Sequence, residues 1–467
     1  MLSSFKKTLF YNKYLIVIIF SAAFLRLFRL NELMPFIGDQ AWFYLSARDF
    51  ILSGKFPLVG ITTSHTWLSQ GPIWTYILVP LLYFFKFNPL APAYFTSLVD
   101  VLTVFIAYKV FSTLFSKRIG IITSLLYAFS PIVIIHSRIP YHTNLIPLFV
   151  ILFIYFLSKW FKGSLYAFPL LILILSILYN LELATAPLLF VFVAFFIYGL
   201  YKKNKWVTGL LNRKTIFLSF FFLILVMSPV FIYDFQHGFL QTVKFAFWFP
   251  RRFLEIFSYD FPQQSSGIWY FFLNFINKIL FLPSAAFALL IFFLSFTVLF
   301  LRSLKDKNNN YKILFLIVLV PFLAFLINNE SSEAYLPILF PQLILMVALF
   351  FDELIKIKKT WLVSVLLLII IALNSYSLLS RNYLMNQGYG LTFAARMNAS
   401  KAIIKKTKGN EYNLIGKGEG SKFESFTMNY EYLAWYLGKP PSHGKKKIKI
   451  IVEEKNALIN ISRIVNK

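Results

Sequence analysis

Gly71-Pro72-Ile73-Trp74-Thr75-Tyr76-Ile77-Leu78-Val79-Pro80-Leu81-Leu82-Tyr83-Phe84-Phe85 decides how the rest of this chain is threaded. The stretch is apolar but short, and it carries Pro72 and Pro80. About twenty residues are needed to cross a bilayer, whereas ten to fourteen suit an interfacial or re-entrant piece. Lys6, Lys7 and Lys13 precede the first hydrophobic run. Later basic clusters lie at Lys117-Arg118, Lys159 with Lys162, Lys202 to Lys205 with Arg213-Lys214, Arg302 to Lys312, and Lys356 to Lys359. If 71–85 crossed, every later cluster would fall on the opposite side from the N-terminal lysines. If it lies at the outer surface, all of them fall on the cytoplasmic side, as the positive-inside bias requires. The stretch therefore reads as a juxtamembrane helix.

Composition points the same way. Of 467 residues, 58% are hydrophobic and 14% charged, against about 25% charged in soluble domains. Mean hydropathy is +0.69. Phe alone accounts for 57 residues and Tyr for 26, which suits aromatic belts and lipid-facing surfaces. The net charge of +27 is explained by basic loops between spans, so no nucleic-acid partner is inferred. There is no Cys, which excludes disulfides and thiolate metal sites. Met1 to Leu30 reads as an uncleaved first span.

The expected fold is an all-α polytopic membrane protein with juxtamembrane helices and a small C-terminal extracytoplasmic α/β domain. The spans fall near 14–30, 90–112, 118–137, 141–158, 164–180, 183–201, 215–233, 279–301, 313–328, 335–351 and 361–379, about eleven in all. The N-terminus is cytoplasmic in this reading, and the C-terminus lies outside a cytoplasmic membrane. The membrane part covers 1–380, with long outer loops at 31–89 and 234–277. From 381 to 467 the composition turns polar. There Thr392 to Lys408 and Met428 to Leu437 read as helices. Asn413 to Ile415, ending in Gly416, and Lys449 to Val452 read as strands. Lys445-Lys446-Lys447 reads as a solvated or headgroup-facing run.

Loop lengths constrain chemistry. The cytoplasmic loops are all too short to form a nucleotide-binding domain. A transferase of this architecture must draw on a substrate that reaches the outer face within the lipid, and a polyprenyl-phosphate sugar meets that requirement. Asp39, in Gly38-Asp39-Gln40, lies just past the first span, where an acid can act as a base at the lipid–water boundary. Asp is also a favoured N-cap, worth about 1 kcal/mol, and Gln40 to Ser53 can form a helix.

At these residues the chain resembles the glycosyltransferase C superfamily, in particular its dolichyl-phosphate-mannose protein mannosyltransferase and aminoarabinose transferase branch. The resemblance covers roughly 1–380. It begins with one span, a long outer loop and the early acid of Gly38-Asp39-Gln40-Ala41-Trp42-Phe43-Tyr44. Ser69-Gln70-Gly71-Pro72-Ile73-Trp74-Thr75-Tyr76 is similar to the family's Lys/His-Pro-Pro-Leu juxtamembrane element. Lys109 to Arg118, Ala128-Phe129-Ser130-Pro131 and Ser137-Arg138 follow in order. Glu333-Ala334-Tyr335-Leu336-Pro337 with Pro341 resembles the Arg-Tyr-Leu…Pro segment. Gln70-Gly71 stands where the family has Lys or His, and His142 and Asn144 occupy the stretch where it has Asp.

The resemblance implies an inverting transfer in which a carboxylate deprotonates the acceptor and lipid phosphate leaves. Asp39 is then the expected general base. Arg138, Arg251, Arg252 and Lys55 are candidates for the donor phosphate, with Lys86 a weaker one. Each has a plainer reading as a snorkelling or headgroup-facing cation. Gln40, Gln70, His142, Glu182, Glu333 and Tyr335 are expected to line the substrate cavity. Glu182 could orient a sugar or pair with Arg138, or be an ordinary interfacial acid. Asp100, inside a span, has no partner legible in the sequence. His65, His136 and His142 lack a ligand spacing, so no metal and no cofactor is expected. The expected partners are a polyprenyl-phosphate-linked sugar, an acceptor protein, lipid or glycan, and membrane lipids. The rival readings are a lipid-linked saccharide flippase, which would carry polar residues along many spans, and a non-catalytic envelope scaffold.

Overall fold

In hydrocarbon every backbone N–H and C=O must be satisfied within its own segment, so apolar runs of spanning length become helices. A computed structural model describes residues 2–63, 67–255, 265–280, 284–305, 309–328, 332–380, 384, 390–455 and 458–465. Among the described residues, eight helices are long and apolar enough to cross a membrane. A ninth span arises if the bent pair Lys117–Ala128 and Pro131–Ser137 counts as one. Each of the eleven expected spans contains one or more helices among the described residues. The first, Leu2–Leu27, has 26 residues, and Ala167–Leu181 has only 15.

Ile73–Phe84 is a helix of 12 residues. At 1.5 Å per residue it is about 18 Å long, well short of the roughly 30 Å of bilayer hydrocarbon. Ion pairs reveal the threading around it. Arg118 pairs with Asp352 at 2.5 Å, Lys356 reaches both Asp352 and Glu353, and Arg302 pairs with Glu353. Three basic clusters of the sequence thus meet at one end of the bundle. The C-terminal end of the first helix sits instead against Arg138, beyond the far end of the bent pair from Arg118. Its N-terminus therefore lies at the Arg118 end, and 73–84 returns to the side on which it began.

The bent pair turns by 65° where one continuous span, 118–137, was expected. Pro131 has no N–H, so carbonyls of the preceding turn lose their helical partners. Arg26 supplies replacements: its guanidinium donates to the carbonyls of Ala128 at 3.1 Å and Tyr127 at 3.5 Å. Asn374 donates to that of Phe129 at 2.9 Å. Asp100 neutralises Arg26 at 2.6 Å and accepts from the Tyr127 hydroxyl at 2.8 Å. The partner that the sequence did not disclose for Asp100 is Arg26, buried with it between three helices.

The C-terminal segment forms β1 (Tyr412–Lys417), β2 (Ile448–Lys455) and β3 (Leu458–Val465) in that spatial order. β1 and β2 are parallel, with Tyr412 opposite Ile448; β2 and β3 are antiparallel. Helices Phe393–Thr407 and Met428–Tyr436 pack beside them, with Ile403, Tyr430, Ile450 and Val452 in the core. β3 was not expected. It is an edge strand with most residues solvent-facing, so its apolar alternation is weak.

This segment is fastened to the first loop. Thr392 bridges Pro35, and the Phe393 N–H donates to the Met34 carbonyl at 2.8 Å. Asn429 donates to the Phe36 carbonyl, and the Tyr432 hydroxyl to that of Phe87. Trp435 packs edge-on to Phe87 and under the Arg48 guanidinium.

Candidate active site

The Gly38–Ser53 helix carries Asp39 in its first turn. Ile37, not Asp39, occupies the N-cap position, so the expectation of a capping aspartate is not met. The cap is supplied by Gln40, whose Oε1 accepts the Ile37 N–H at 2.8 Å. A side chain at the third helical position can reach back in this way. Gln40, expected in the cavity, is therefore buried in a capping role. Asp39 is left half-buried at the positive end of the helix, and its Oδ1 accepts from the Ser425 hydroxyl at 2.5 Å.

One turn further along the same face, Phe43 meets Tyr141 and His142, with ring centroids 6.2 and 5.3 Å away. Tyr141 lies within electrostatic reach of Asp39, Glu182 and Tyr335. His142 Nε2 lies 3.2 Å from Glu182 Oε2, and that oxygen also accepts from Gln70 Nε2 at 2.9 Å. All three side chains are buried. Glu182 is thus held by Gln70 and His142 rather than by Arg138. His142 Nδ1, Gln70 Oε1, Asn144 Oδ1 and Asn180 Oδ1 are buried without a hydrogen-bond partner, an unusual density of unspent polar atoms.

Backbone architecture places this cluster. Residues 60–63 and 68–70 run antiparallel, with the Gly60 N–H on the Gln70 carbonyl and the Gln70 N–H on that of Ile61. Gly71 then lies against Asn180 so closely that a Cβ would stand 2.0 Å from its Oδ1 and 2.7 Å from its Cα. Only glycine permits that approach, and it delivers Gln70 to Glu182. Three short 3₁₀ turns complete the wall: His142–Leu145, Leu183–Thr185 and Glu333–Leu339, each opening a long helix. The 333–339 turn packs against both others, so the starts of three long helices converge here.

Glu333 pairs with Lys278 at 2.7 Å, within electrostatic reach of His136. Tyr335 stacks on Phe325. Asp234 accepts the Gln241 and Thr242 N–H groups and so caps the Leu240–Glu255 helix, while Gln241 Oε1 accepts the Ser69 N–H at 2.8 Å. Lys278, Asp234 and Ser425 did not emerge from the sequence. Lys278 carried a signal, as a lone cation in the last turn of the largely apolar Ser265–Leu280 helix.

The expected cations divide. Arg138 Nη1 donates to the carbonyls of Leu25, Arg26 and Phe28 at 3.2, 3.0 and 2.9 Å, closing the end of the first helix. Its Nη2 is buried without a protein partner. Leu25 and Phe28 also line an apolar groove of about 510 Å³ with Phe20, Phe24, Phe129 and Leu379. Arg251 is exposed on the Leu240–Glu255 helix. The side chains of Arg252 and His65 lie outside the described residues. Lys55 is exposed just past the far end of the helix that begins at Gly38. The helix from Asp39 to Ser53 alone spans about 21 Å, so Lys55 is no part of this cluster. Among the described residues, no three His, Asp or Glu side chains converge as a metal site.

No protein-family model and no curated protein matches the sequence. Solved structures do. The oligosaccharyltransferase AglB from Archaeoglobus fulgidus, in complex with an inhibitory peptide and a dolichol-phosphate, aligns with a TM-score of 0.60 at 11% identity, over 96% of this chain and 70% of its own. ArnT from Cupriavidus metallidurans bound to undecaprenyl phosphate aligns at 0.54 and 11% identity, over 98% of both chains. Its apo form aligns at 0.57 and 12% identity, over 97% of this chain and 94% of its own. The chain shares the fold of these proteins.

Proposed function

We propose that the protein transfers a sugar from a polyprenyl monophosphate to an acceptor at the outer face of the cytoplasmic membrane, with inversion at the anomeric carbon. The observation that carries this reading is the placement of Asp39. It is a half-buried carboxylate beside the buried Gln70–Glu182–His142 cluster, on a fold shared with two proteins solved with lipid phosphates.

An acceptor hydroxyl attacks the anomeric carbon, the bond from that carbon to the phosphate oxygen breaks, and Asp39 takes the hydroxyl proton. Polyprenyl phosphate leaves as an anion and needs charge stabilisation rather than protonation. The converging helix starts supply part of it, since N-terminal N–H groups and dipoles attract anions. The unspent Arg138 Nη2 is the candidate for the rest, with Arg251 and Arg252 at the lipid boundary. The groove beside Leu25 and Phe28 would take the isoprenoid chain. The cluster of Glu182, Gln70 and His142 would hold sugar hydroxyls through the unspent Gln70 Oε1 and His142 Nδ1.

The test uses membranes carrying the parent protein or its Asp39→Asn variant, incubated with radiolabelled polyprenyl-phosphate sugars. General-base loss costs about 10²- to 10⁴-fold, so membranes with the Asp39→Asn variant should show folded protein and almost no transfer. Undiminished transfer would remove Asp39 from the base role. Translocation of label without transfer would replace the enzyme reading with the flippase reading.

A further inference from the structure

We propose that Ser425 is a positioning residue for Asp39, so that the C-terminal segment completes the catalytic centre rather than merely adjoining it. The inference rests on the reading of Asp39 as the base. Its ground is geometric. Ser425 belongs to the 3₁₀ turn Glu424–Thr427, which packs on the start of the Gly38–Ser53 helix. Its hydroxyl donates to Asp39 Oδ1 at 2.5 Å across 386 residues of sequence. Its carbonyl presses on Gly38 so closely that a Cβ there would stand 1.8 Å from the oxygen. Gly38 and Ser425 thus fit as a flush pair, and the hydrogen bond lies directly beside the contact.

One consequence follows from the chemistry. A carboxylate with one oxygen tethered has a fixed plane, so Oδ2 keeps one direction toward the acceptor proton. The Ser425 turn is itself held by the contacts from Thr392, Phe393, Asn429 and Tyr432 to the first loop. The base is therefore buttressed from a part of the chain that contains no other element of the proposed chemistry.

The experiment compares four full-length variants in membranes with radiolabelled polyprenyl-phosphate sugars. Ser425→Ala should lower kcat about tenfold and leave the donor KM within about twofold. Ser425→Thr, which keeps the hydroxyl, should restore the rate. Gly38→Ala should reproduce the Ser425→Ala kinetics with the hydroxyl still present, because the added methyl displaces the turn. Asp39→Asn separates the two readings. If it is inactive while Ser425→Ala has the parent kcat, the base stands and the positioning role falls. A Ser425→Ala defect that Thr does not restore, with melting temperature falling in step, is a packing defect and also overturns the role. If Asp39→Asn retains full transfer, the base reading fails and the Ser425 role fails with it.

Discussion

Asp100→Asn should destabilise the protein severely, because it strands a charge. Arg26 is fully buried and Asp100 is nearly so. The substitution keeps the size of the side chain and removes its charge. Arg26 would retain its contacts to the carbonyls of Ala22, Tyr127 and Ala128 at 3.3, 3.5 and 3.1 Å, but no countercharge. Breaking one partner of a buried pair costs about 3–5 kcal/mol. Three carbonyl acceptors soften that toward the lower end, so about 3 kcal/mol is expected. The measurement is thermal unfolding of the detergent-solubilised protein, followed by intrinsic fluorescence, which should show a melting temperature lower by several degrees. Replacing the whole group by Arg26→Met, Asp100→Leu and Tyr127→Phe should recover only part of the loss: no buried charge is left unpaired, but the carbonyls of Tyr127 and Ala128 lose the donor that Arg26 supplied. The Tyr127 change is required because its hydroxyl donates to Asp100. An Asp100→Asn protein that melts within about a degree of the parent would refute the reasoning, since the penalty for an unpaired buried charge would then be absent at this site.

Two further outcomes are expected. Glu182→Gln keeps the shape of the buried cluster but replaces the charged acceptor of Gln70 and neighbour of His142. A hydrogen bond to a charged group is worth about 1.5–3 kcal/mol, so kcat/KM for transfer should fall about 10- to 100-fold; unchanged Michaelis parameters would exclude Glu182 from the site. Glu431, in the Met428–Tyr436 helix, has its carboxyl held above the ordinary value of 4.5 mainly by burial, with His443 and Arg48 opposing the shift. A raised folded value means that stability is greatest below the ordinary value and is lost as pH rises through the folded one. Glu431→Gln should therefore raise the melting temperature at neutral pH and change little near about pH 4. Equal effects at both pH values would contradict the sign.

What the sequence disclosed was local. Hydropathy of near-spanning length is a property of consecutive residues, so each expected span came out as one or more helices among the described residues, and the brevity of 71–85 was visible directly. The basic clusters worked for a similar reason: each is contiguous, and Arg118, Arg302 and Lys356 do meet at one end. The bend at Phe129 to Pro131 could have been suspected from Pro131 alone, but not its repair. Arg26 lies about a hundred residues away from the carbonyls it satisfies, and nothing in a hydropathy pattern links the two.

The site divides along the same line. Asp39 was legible because an acid in an otherwise acid-poor apolar region is conspicuous by itself. Its surroundings were not, because they are assembled by close approach. Gly71 admits Asn180, which brings Gln70 to Glu182. Gly38 admits the Ser425 carbonyl, which brings the hydroxyl to Asp39. In both cases the informative residue is a glycine with no chemistry of its own, placed one residue from a polar side chain that then meets a distant partner. Lys55 shows the converse. It follows the same helix as Asp39 and reads as a plausible partner by sequence distance, yet the helix between them alone is about 21 Å long. In this bundle, proximity to Asp39 follows from which backbones can touch, and charge placement along the chain is a poor guide to it.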